Sequence, residues 1–400
     1  MPASLDDPYP VAPRGRLSRR AIGAFATAGL AAGIAIQGLP ARADEPPSSQ
    51  INADGTTPFN FHLESSAPRT FAGGTIRTAS VAEMPRLTGL GMQLVEIAPG
   101  SLREVHWHPN ASEIGFVLAG AGVMSILSAS GDNARFPITV GTSTFVPRGD
   151  AHAIENNGDT PLVILIGFSH ESPEHLTVSE SIPWIPTRVI EQSLGVAAGT
   201  LPRFPPRGDL ALVPNPAPGA TASSVKAADS IYSAALAALP LATFGGGTVQ
   251  AITTGVVPKL TDMTLLRLVI EVGAVREPHW HGNAGEFNYC VRGSAEVGIV
   301  APSGESWTFT LDVGDVAFIP NNWFHAITNV GAEVVEIVAF FDAVAPSRID
   351  LSTMAGFFPP EVLAASLDVS PDVFTNLPHT GTVVIAPPVP DNDQEGTPTP

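Results

Sequence analysis

The sequence predicts a mainly β chain with two tandem copies of one barrel or sandwich, each copy followed by at least one helix. Three observations support this prediction. The 400 residues are rich in turn formers, with 38 Gly and 39 Pro. Short apolar or alternating runs end at Gly, Pro or Asn, as half-buried strands do. The stretch HWHPNASE (106–113) returns as HWHGNAGE (279–286).

The two histidine stretches belong to a long internal repeat. Their first histidines, His106 and His279, are 173 residues apart. The same offset brings identical residues into register from residue 71 to residue 196 without a gap. A register kept over that length indicates duplication of one folding unit. Equivalent pairs include Phe71 and Phe244, Pro85 and Pro258, Gly120 and Gly293, and Pro147 and Pro320.

Local patterns predict the elements within each copy. In the first copy GMQLVEIAPG, GFVLAGAGVMSIL, TFVPRG and LVILIGF are predicted strands, because they are short, apolar or alternating, and bounded by turn residues. PTRVIEQSLGV and its partner PPEVLAASLDV follow the strands. Both are predicted helices, since Pro opens them and apolar residues recur at i and i+4.

The remaining segments divide the chain. Residues 1–43 hold paired arginines, an apolar Ala/Gly-rich run and a small-residue stretch, which together predict a removable leader. A membrane anchor is the alternative, but the abundant Ala and Gly make the run weakly hydrophobic. Residues 44–57 and 386–400 are predicted to be disordered. Residues 197–228 form a Pro/Gly-rich linker between predicted domains at 58–196 and 229–385.

The paired arginines Arg19 and Arg20 resemble a twin-arginine export signal. That resemblance implies a periplasmic or secreted protein. The predicted mature chain has no other segment that could span a membrane.

Charge and cysteine content exclude some classes of function. The formal net charge is -18, which argues against nucleic acid and anionic membranes as partners. A small anionic substrate stays possible, because local arginines can override the global field. Cys290 is the single cysteine, so no intramolecular disulfide can form. It shares strand parity with Glu286 and is predicted to pack inside its barrel.

The repeated histidines predict metal binding. Residues i and i+2 of a strand face the same side, so His106 and His108 point into one space. Glu113 follows after a short turn, and His152 lies in a later strand. Three imidazoles and one carboxylate suit Mn, Fe, Co, Ni or Zn and leave open positions. The second copy offers the same set at His279, His281, Glu286 and His325.

Ordinary polar residues on a solvated face are the alternative for these positions. Six of the ten histidines obey the repeat, and both carboxylates match, so metal binding is favoured. The other histidines are assigned surface or hydrogen-bonding roles; they are His62, His170, His175 and His379.

Arg103 and Arg276 each precede the first ligand of their copy by three residues. In an ideal strand this parity points them away from the ligand face, so a twist or bulge must turn them inward. A guanidinium can bind a carboxylate through two parallel hydrogen bonds. The alternative is a surface arginine, but both copies keep the residue in matching context. We therefore predict that the arginines bind a carboxylate beside the metal.

These residues reveal a family resemblance. GSLREVHWHPNASEIGFVLAG and GTSTFVPRGDAHAIEN resemble the two cupin motifs, and GAVREPHWHGNAGEFNYCVRG and GDVAFIPNNWFHAITN repeat them. One position departs, since Asn322 stands where the second motif has Gly. The match covers about residues 59 to 380 and resembles the bicupin oxalate decarboxylase family.

The resemblance implies two cupin β-sandwich barrels of the jelly-roll, or double-stranded β-helix, type. It also implies one Mn²⁺ in each barrel, dioxygen as a co-substrate, and a homo-oligomer, a trimer or hexamer built through the helices.

The implied reaction converts oxalate to formate and carbon dioxide, with Arg103 holding the substrate and Arg276 its counterpart. In this family a lid glutamate within a Ser-Glu-Asn-Ser/Thr stretch donates the proton. Here that stretch is absent, and the equivalent loop reads FSHESPEHLTVSE. Glu171 and Glu174 are the candidate acids, in a loop (169–180) expected to cover the first metal site.

Other activities stay open at this point. An oxalate oxidase would use the same metal and arginine without the lid acid and release hydrogen peroxide. A bicupin dioxygenase would need a wide apolar pocket and no arginine clamp. A non-enzymatic binding protein would normally have lost ligands that this chain keeps twice.

Overall fold

The computed structural model describes residues 55–216, 230–375, 377 and 383–388. The predicted leader (1–43), most of the predicted disordered segment 44–57 and His379 lie outside these residues. Within them, no helix combines the length and the apolar character needed to cross a membrane.

The first repeat unit is built mainly of short strands. In chain order they are β1 (Asn60–Phe61), β2 (Arg69–Phe71), β3 (Gly74–Ala79), β4 (Gly91–Ile97), β5 (Ser101–Trp107), β6 (Glu113–Ala119), β7 (Ala121–Leu127), β8 (Ala134–Thr139), β9 (Thr142–Val146), β10 (Ala151–Glu155), β11 (Leu162–Phe168) and β12 (Leu176–Thr177). Helices α1 (Val178–Ser181) and α2 (Thr187–Leu194) follow, with a 3-10 turn at Ile182–Trp184 between them. Strands β13 (Leu212–Pro214) and β14 (Ser233–Ala235) lead to the second unit.

The second unit repeats this order. After a 3-10 turn at Leu236–Ala238, its strands are β15 (Ala242–Phe244), β16 (Gly247–Ile252), β17 (Thr264–Ile270), β18 (Val275–Trp280), β19 (Glu286–Arg292), β20 (Ser294–Val300), β21 (Ser306–Asp312), β22 (Val316–Ile319), β23 (Phe324–Asn329), β24 (Val335–Phe341) and β25 (Ile349–Asp350). Helices α3 (Leu351–Phe357), α4 (Pro360–Leu367) and α5 (Asp372–Thr375) come next, and β26 (Ile385–Ala386) ends the unit.

Each unit is a sandwich of two antiparallel sheets. In the first, a seven-stranded sheet has the order β14-β9-β6-β11-β4-β3-β2, and the smaller sheet has the order β12-β5-β10-β7-β8 with β13 added to β5. The second unit has the equivalent sheets β1-β22-β19-β24-β17-β16-β15 and β21-β20-β23-β18-β25, with β26 added to β18. The predicted architecture of two β-sandwich barrels with trailing helices is therefore confirmed.

The predicted helices also form where the local signals place them. Gly195 follows the last residue of helix α2, and its φ of 66° is the left-handed conformation common after a helix. Its counterpart α4 ends at Asp368, with a φ of 55°. The equivalent chain reversals show that the repeat extends through the helices.

The two units exchange strands at their edges. Strand β1 belongs by sequence to the first unit, yet it pairs with β22 of the second. Strand β14 opens the second unit and pairs with β9 of the first. In each unit, one edge of the large sheet therefore pairs with a strand from the other unit. The two barrels are joined through these main-chain hydrogen bonds.

A shared apolar core lies between the two large sheets. One cluster of buried residues includes Ile114 and Leu165 from the first unit and Leu266 and Phe340 from the second. Gly167 and Phe340 are equivalent in the repeat and meet here: a Cβ on Gly167 would come within 2.5 Å of the Phe340 ring. The missing side chain at Gly167 therefore admits the phenylalanine.

Two segments predicted to be irregular contribute strands. Leu212–Pro214 lies in the predicted linker and pairs with β5. Ile385–Ala386 reaches into the predicted tail and pairs with β18. Leu212 and Ile385 are 173 residues apart, so the repeat continues beyond the helices. Both added strands flank the strand that carries the first ligand histidine.

Candidate metal centres

The four predicted ligands of the first unit converge between its two sheets. His106 on β5 and His152 on β10 are paired on neighbouring strands of the smaller sheet. His108 follows the end of β5, and Glu113 opens β6 in the larger sheet. All four side chains are buried, and their ligand atoms lie within 4.8 Å of one another. The sandwich thus contributes three imidazoles from one sheet and one carboxylate from the other.

The second unit builds the same arrangement. His279 on β18 faces His325 on β23, and Glu286 opens β19. His281 completes a buried group whose ligand atoms again lie within 4.8 Å of one another. Each sequence-predicted set is therefore brought together in one place, and each could hold one metal ion.

Every ligand imidazole is oriented by a main-chain carbonyl. Each Nδ1 atom lies 2.7 to 3.2 Å from a backbone oxygen. A carbonyl only accepts, so Nδ1 carries the proton and Nε2 keeps its lone pair toward the centre. The carbonyls that accept from the six histidines belong to Glu104, Glu174, Asp150, Glu277, Ser347 and Trp323.

The facing atoms of each centre require a cation. Oε2 of Glu113 lies 3.1 Å from Nε2 of His108 and 3.3 Å from Nε2 of His152. In the second centre Nε2 of His281 lies 3.0 Å from Glu286 yet makes no hydrogen bond among the described residues. Lone pairs that face a carboxylate at these distances repel each other unless a positive charge lies between them. The residues present therefore fit a divalent metal ion.

The electrostatics of both centres favour deprotonated ligands. Burial, together with the charge of the nearby Arg103, lowers the pKa of His106 well below its ordinary value. Burial alone would raise the pKa of Glu113, but His152 and His108 outweigh it and lower that pKa. His281 and His325 lower the pKa of Glu286 in the same way. Neutral imidazoles and an ionised carboxylate are the forms that bind metal.

The departure from the second motif does not alter the turn before the last histidine. Gly149 has a φ of 86°, and Asn322 at the equivalent place has a φ of 65°. Asparagine tolerates this left-handed conformation better than most side chains. Both residues donate their amide to the carbonyl of a ligand, Gly149 to His108 and Asn322 to His281. The turn is therefore kept with either residue.

A β-bulge turns the arginines inward, as the parity argument requires. His106 pairs with His152, but Arg103 pairs with Ile154, so β5 uses one residue more than β10 between these pairs. The second unit has the same irregularity between Arg276 and His279. As a result Arg103 is only 5% exposed and Arg276 only 1%. Of the two predicted causes, a twist or a bulge, the structure shows a bulge in both units.

The two buried arginines have different partners. Nη1 of Arg103 is buried and makes no hydrogen bond within the described part of the chain. Nη1 of Arg276 donates to Oδ1 of Asp350 at 3.0 Å and to the carbonyl of Val384 at 2.9 Å. Each guanidinium therefore keeps one buried Nη atom without a partner among the described residues, but Arg276 also binds a carboxylate.

Sequence reasoning missed a second group of residues around Arg103. Ligand-type atoms of His175, Glu180 and Asp209 lie within 4.8 Å of one another. Asp209 Oδ2 is 3.5 Å from Nε2 of His175 and 3.0 Å from Nη2 of Arg69. Burial and the charge of Arg103 lower the pKa of His175. The repeat held a signal for His175, because the equivalent residue is Arg348.

The loop at 169–180 is fastened over the ligand segment. The side chain of Asn110 binds the carbonyl of Ser172 and the amide of Glu174. The carbonyl of Glu174 accepts from the ligand His108. Asn283 and Ser347 repeat these contacts in the second unit. The loop thus orients a metal ligand through its main chain.

The two predicted lid acids, Glu171 and Glu174, do not turn toward the first centre in this structure, contrary to the expected arrangement. Oε2 of Glu171 accepts from the amide of Gly89 at 2.9 Å. Hydrogen bonds from its own amide and that of Gly89 lower the pKa of Glu171, whereas an acid needs a retained proton. The Glu174 side chain is exposed. A catalytic role for either residue stays a prediction.

Comparisons with known proteins agree with this geometry. The profile of the Cupin family matches residues 61–200 and 234–373. Oxalate decarboxylase OxdC of Bacillus subtilis is 26% identical over 329 residues, which cover 80% of this chain and 84% of that protein. Oxalate oxidase 1 of Hordeum vulgare is 35% identical over 138 residues, covering 32% of this chain and 69% of that protein.

A solved structure of oxalate decarboxylase from Bacillus subtilis has the same fold. It superposes with a TM-score of 0.74 at 22% identity and covers 83% of this chain and 88% of that chain. Two matched domains, each with a complete ligand set between its sheets, account for most of the described residues. The chain therefore belongs to the cupin family and carries two copies of its domain.

Proposed function

We propose that this protein is an Mn-dependent oxalate decarboxylase, which converts oxalate to formate and carbon dioxide. The observation that carries the proposal is the buried guanidinium of Arg103, with an unpartnered Nη1 beside a complete ligand set. A buried donor without a partner is costly unless an anion binds there. The decarboxylase relatives, aligned over most of the chain, support oxalate as that anion.

Arg103 would hold one substrate carboxylate through its planar donors. Manganese and dioxygen, when bound, would supply the one-electron chemistry that weakens the carbon–carbon bond. Cleavage releases carbon dioxide, and the carbon that remains takes a proton to become formate. The reaction consumes one proton per oxalate dianion and involves no net oxidation, so an acid near Arg103 is required.

Oxalate oxidase is the second candidate, and a specific observation favours it. Neither Glu171 nor Glu174 faces the first centre, so neither of the two predicted lid acids is in position in the described conformation. Oxalate oxidase 1 of Hordeum vulgare aligns with 32% of this chain, whereas oxalate decarboxylase OxdC of Bacillus subtilis aligns with 80% of it. Incubating pure protein with oxalate, Mn²⁺ and air separates the two activities. Formate without peroxide supports the decarboxylase, and peroxide without formate supports the oxidase.

Manganese as the resident metal can be tested separately. The donor sets of nitrogen and oxygen do not exclude other divalent ions on affinity, so loading depends on supply. Protein from Mn-supplemented cells should contain about two Mn per chain by elemental analysis, one for each ligand set. Zinc as the main metal would contradict the assignment of Mn.

We also propose a homo-oligomer, a trimer or hexamer, and export by the twin-arginine route. Large apolar side chains on or beside the helices after each barrel support association: Trp184 is 80% exposed and Phe357 is 78% exposed. Light scattering after size exclusion would give the oligomeric state. The export proposal rests on the leader sequence alone, and N-terminal sequencing of protein from the periplasm or medium would test it.

A further inference from the structure

We propose that Asp350 acts as an internal carboxylate on Arg276 and keeps substrate out of the second centre, so that oxalate binds at the first centre alone. The inference rests on the proposed function, because it assumes that the arginine beside each metal is the group that takes the substrate carboxylate.

Each carboxylate oxygen of Asp350 accepts a hydrogen bond from an arginine. Oδ1 accepts from Nη1 of Arg276 at 3.0 Å, and Oδ2 accepts from Nε of Arg348 at 2.7 Å. The side chains of Arg276 and Asp350 are only 2% and 3% exposed. An anion that needs Arg276 must therefore displace a buried carboxylate or share the guanidinium with it.

The position of Asp350 explains why it competes with substrate. Asp350 on β25 pairs with the ligand His279 on β18. Residues directly opposite each other in an antiparallel pair point to the same face, so Asp350 lies on the metal side of the sheet. Nη2 of Arg276 has no partner among the described residues, but a carboxylate that approached it would meet the negative charge of Asp350.

The first unit has no carboxylate at the equivalent position opposite its first ligand histidine. Thr177 on β12 occupies the equivalent place opposite His106. Its hydroxyl accepts from the amide of Glu180 and so caps helix α1. The residue equivalent to Arg348 is His175, whose ring lies beside Asp209. Arg103 therefore has no counterpart of the Asp350 carboxylate, and the exchange of aspartate for threonine at this position distinguishes the two arginines.

Calorimetric titration of oxalate into the Mn-loaded protein under argon measures binding without turnover. The expected stoichiometry is one oxalate per chain, at the first centre, where Arg103 has no counterpart of Asp350. Two equal sites per chain would overturn the inference and leave the proposed function intact. No oxalate binding at all would overturn the proposed function, and the inference with it.

Reciprocal exchanges between the units test the residue itself. Thr177→Asp should pair with Arg103 and weaken oxalate binding on the order of 100-fold, as expected when a buried charge partner is blocked. Mn content should stay at the parent level. Thr177→Asn is the matched control, because asparagine has nearly the same size as aspartate, can cap α1 and carries no charge. This variant should bind oxalate with an affinity within about threefold of the parent.

The opposite exchange should open the second centre. Asp350→Thr with Arg348→His gives the second unit the residues of the first, and the oxalate stoichiometry should rise from one to two. In an Arg103→Lys background the same exchange should restore oxalate binding. A folded, Mn-loaded double variant that still binds one oxalate would overturn the inference. If that variant does not fold, Thr177→Asp decides, since parent-like oxalate binding there would equally overturn it.

Discussion

The two metal centres share every ligand and differ in what lies opposite the first histidine. In the first centre Thr177 faces His106, and in the second Asp350 faces His279. The ligands are of the same residue types, and the main-chain carbonyls that orient them and the bulge before them occupy equivalent positions. The duplication has therefore kept what a metal ion needs, while the residues that meet a substrate have diverged. Variants made as pairs, one in each unit, test this comparison.

The largest expected effect is loss of the ion from one centre at a time. Glu113→Gln and Glu286→Gln each replace an anionic ligand by a weaker neutral one. Each should lower the Mn content from about two to about one per chain, measured by elemental analysis. Turnover should fall far more in Glu113→Gln than in Glu286→Gln. Equal losses of turnover would contradict the functional difference between the centres.

The next effect concerns stability. Asp350→Ala leaves the buried guanidinium of Arg276 without its carboxylate, which should lower the free energy of unfolding by about 3–5 kcal/mol. Thr177→Ala, the matched change, removes a helix cap and should cost about 1 kcal/mol. Urea unfolding of the Mn-loaded proteins measures both. Similar costs would show that Asp350 is not the structural partner of the two arginines.

Arg103 should be needed for turnover and not for metal binding. Arg103→Lys keeps the charge but loses the planar donors, so turnover should fall about 10- to 100-fold, the equivalent of 1.5–3 kcal/mol for a charged hydrogen bond. Mn content should stay at the parent value. A variant as active as the parent would exclude Arg103 as the group that binds oxalate. Arg276→Lys provides the comparison in the second unit.

The proton donor should control products more than oxalate consumption. Glu171→Gln and Glu174→Gln test the carboxylates predicted from the sequence. His175→Gln tests the imidazole whose pKa is lowered by burial and by the charge of the nearby Arg103. Removing the true donor should lower formate and raise peroxide while oxalate is still consumed. The formate-to-peroxide ratio is the measurement. If no variant changes it, the proton comes from another group.

The smallest effect is expected at Cys290, whose counterpart is Val117. Both are buried, so Cys290→Val exchanges one small core residue for the other and should cost less than about 1.5 kcal/mol. Burial raises the pKa of Cys290 to about 12. The native thiol should therefore not react with alkylating reagents at pH 8, whereas the unfolded chain should. Fast native labelling would contradict its predicted place inside the barrel.

Much of the fold and of each centre could be predicted because the determining signals are local. Strand alternation placed β4, β6 and β11, and the i, i+2 spacing put His106 and His108 on one face. The odd spacing of Arg103 required a twist or a bulge, and a bulge is present. The exchanged strands β1 and β14 were not predicted, because their partners lie far along the chain in the other unit.

The sequence by itself determined the duplication, the ligand types and the side of the strand that each ligand occupies. These follow from residue identity and from the period of two that any strand has. Tertiary structure decided which arginine binds an internal carboxylate. Asp350 lies 74 residues from Arg276 along the chain, and its effect depends on β25 closing against β18. No local pattern encodes such a pairing, because long-range contacts form only when the whole sandwich closes.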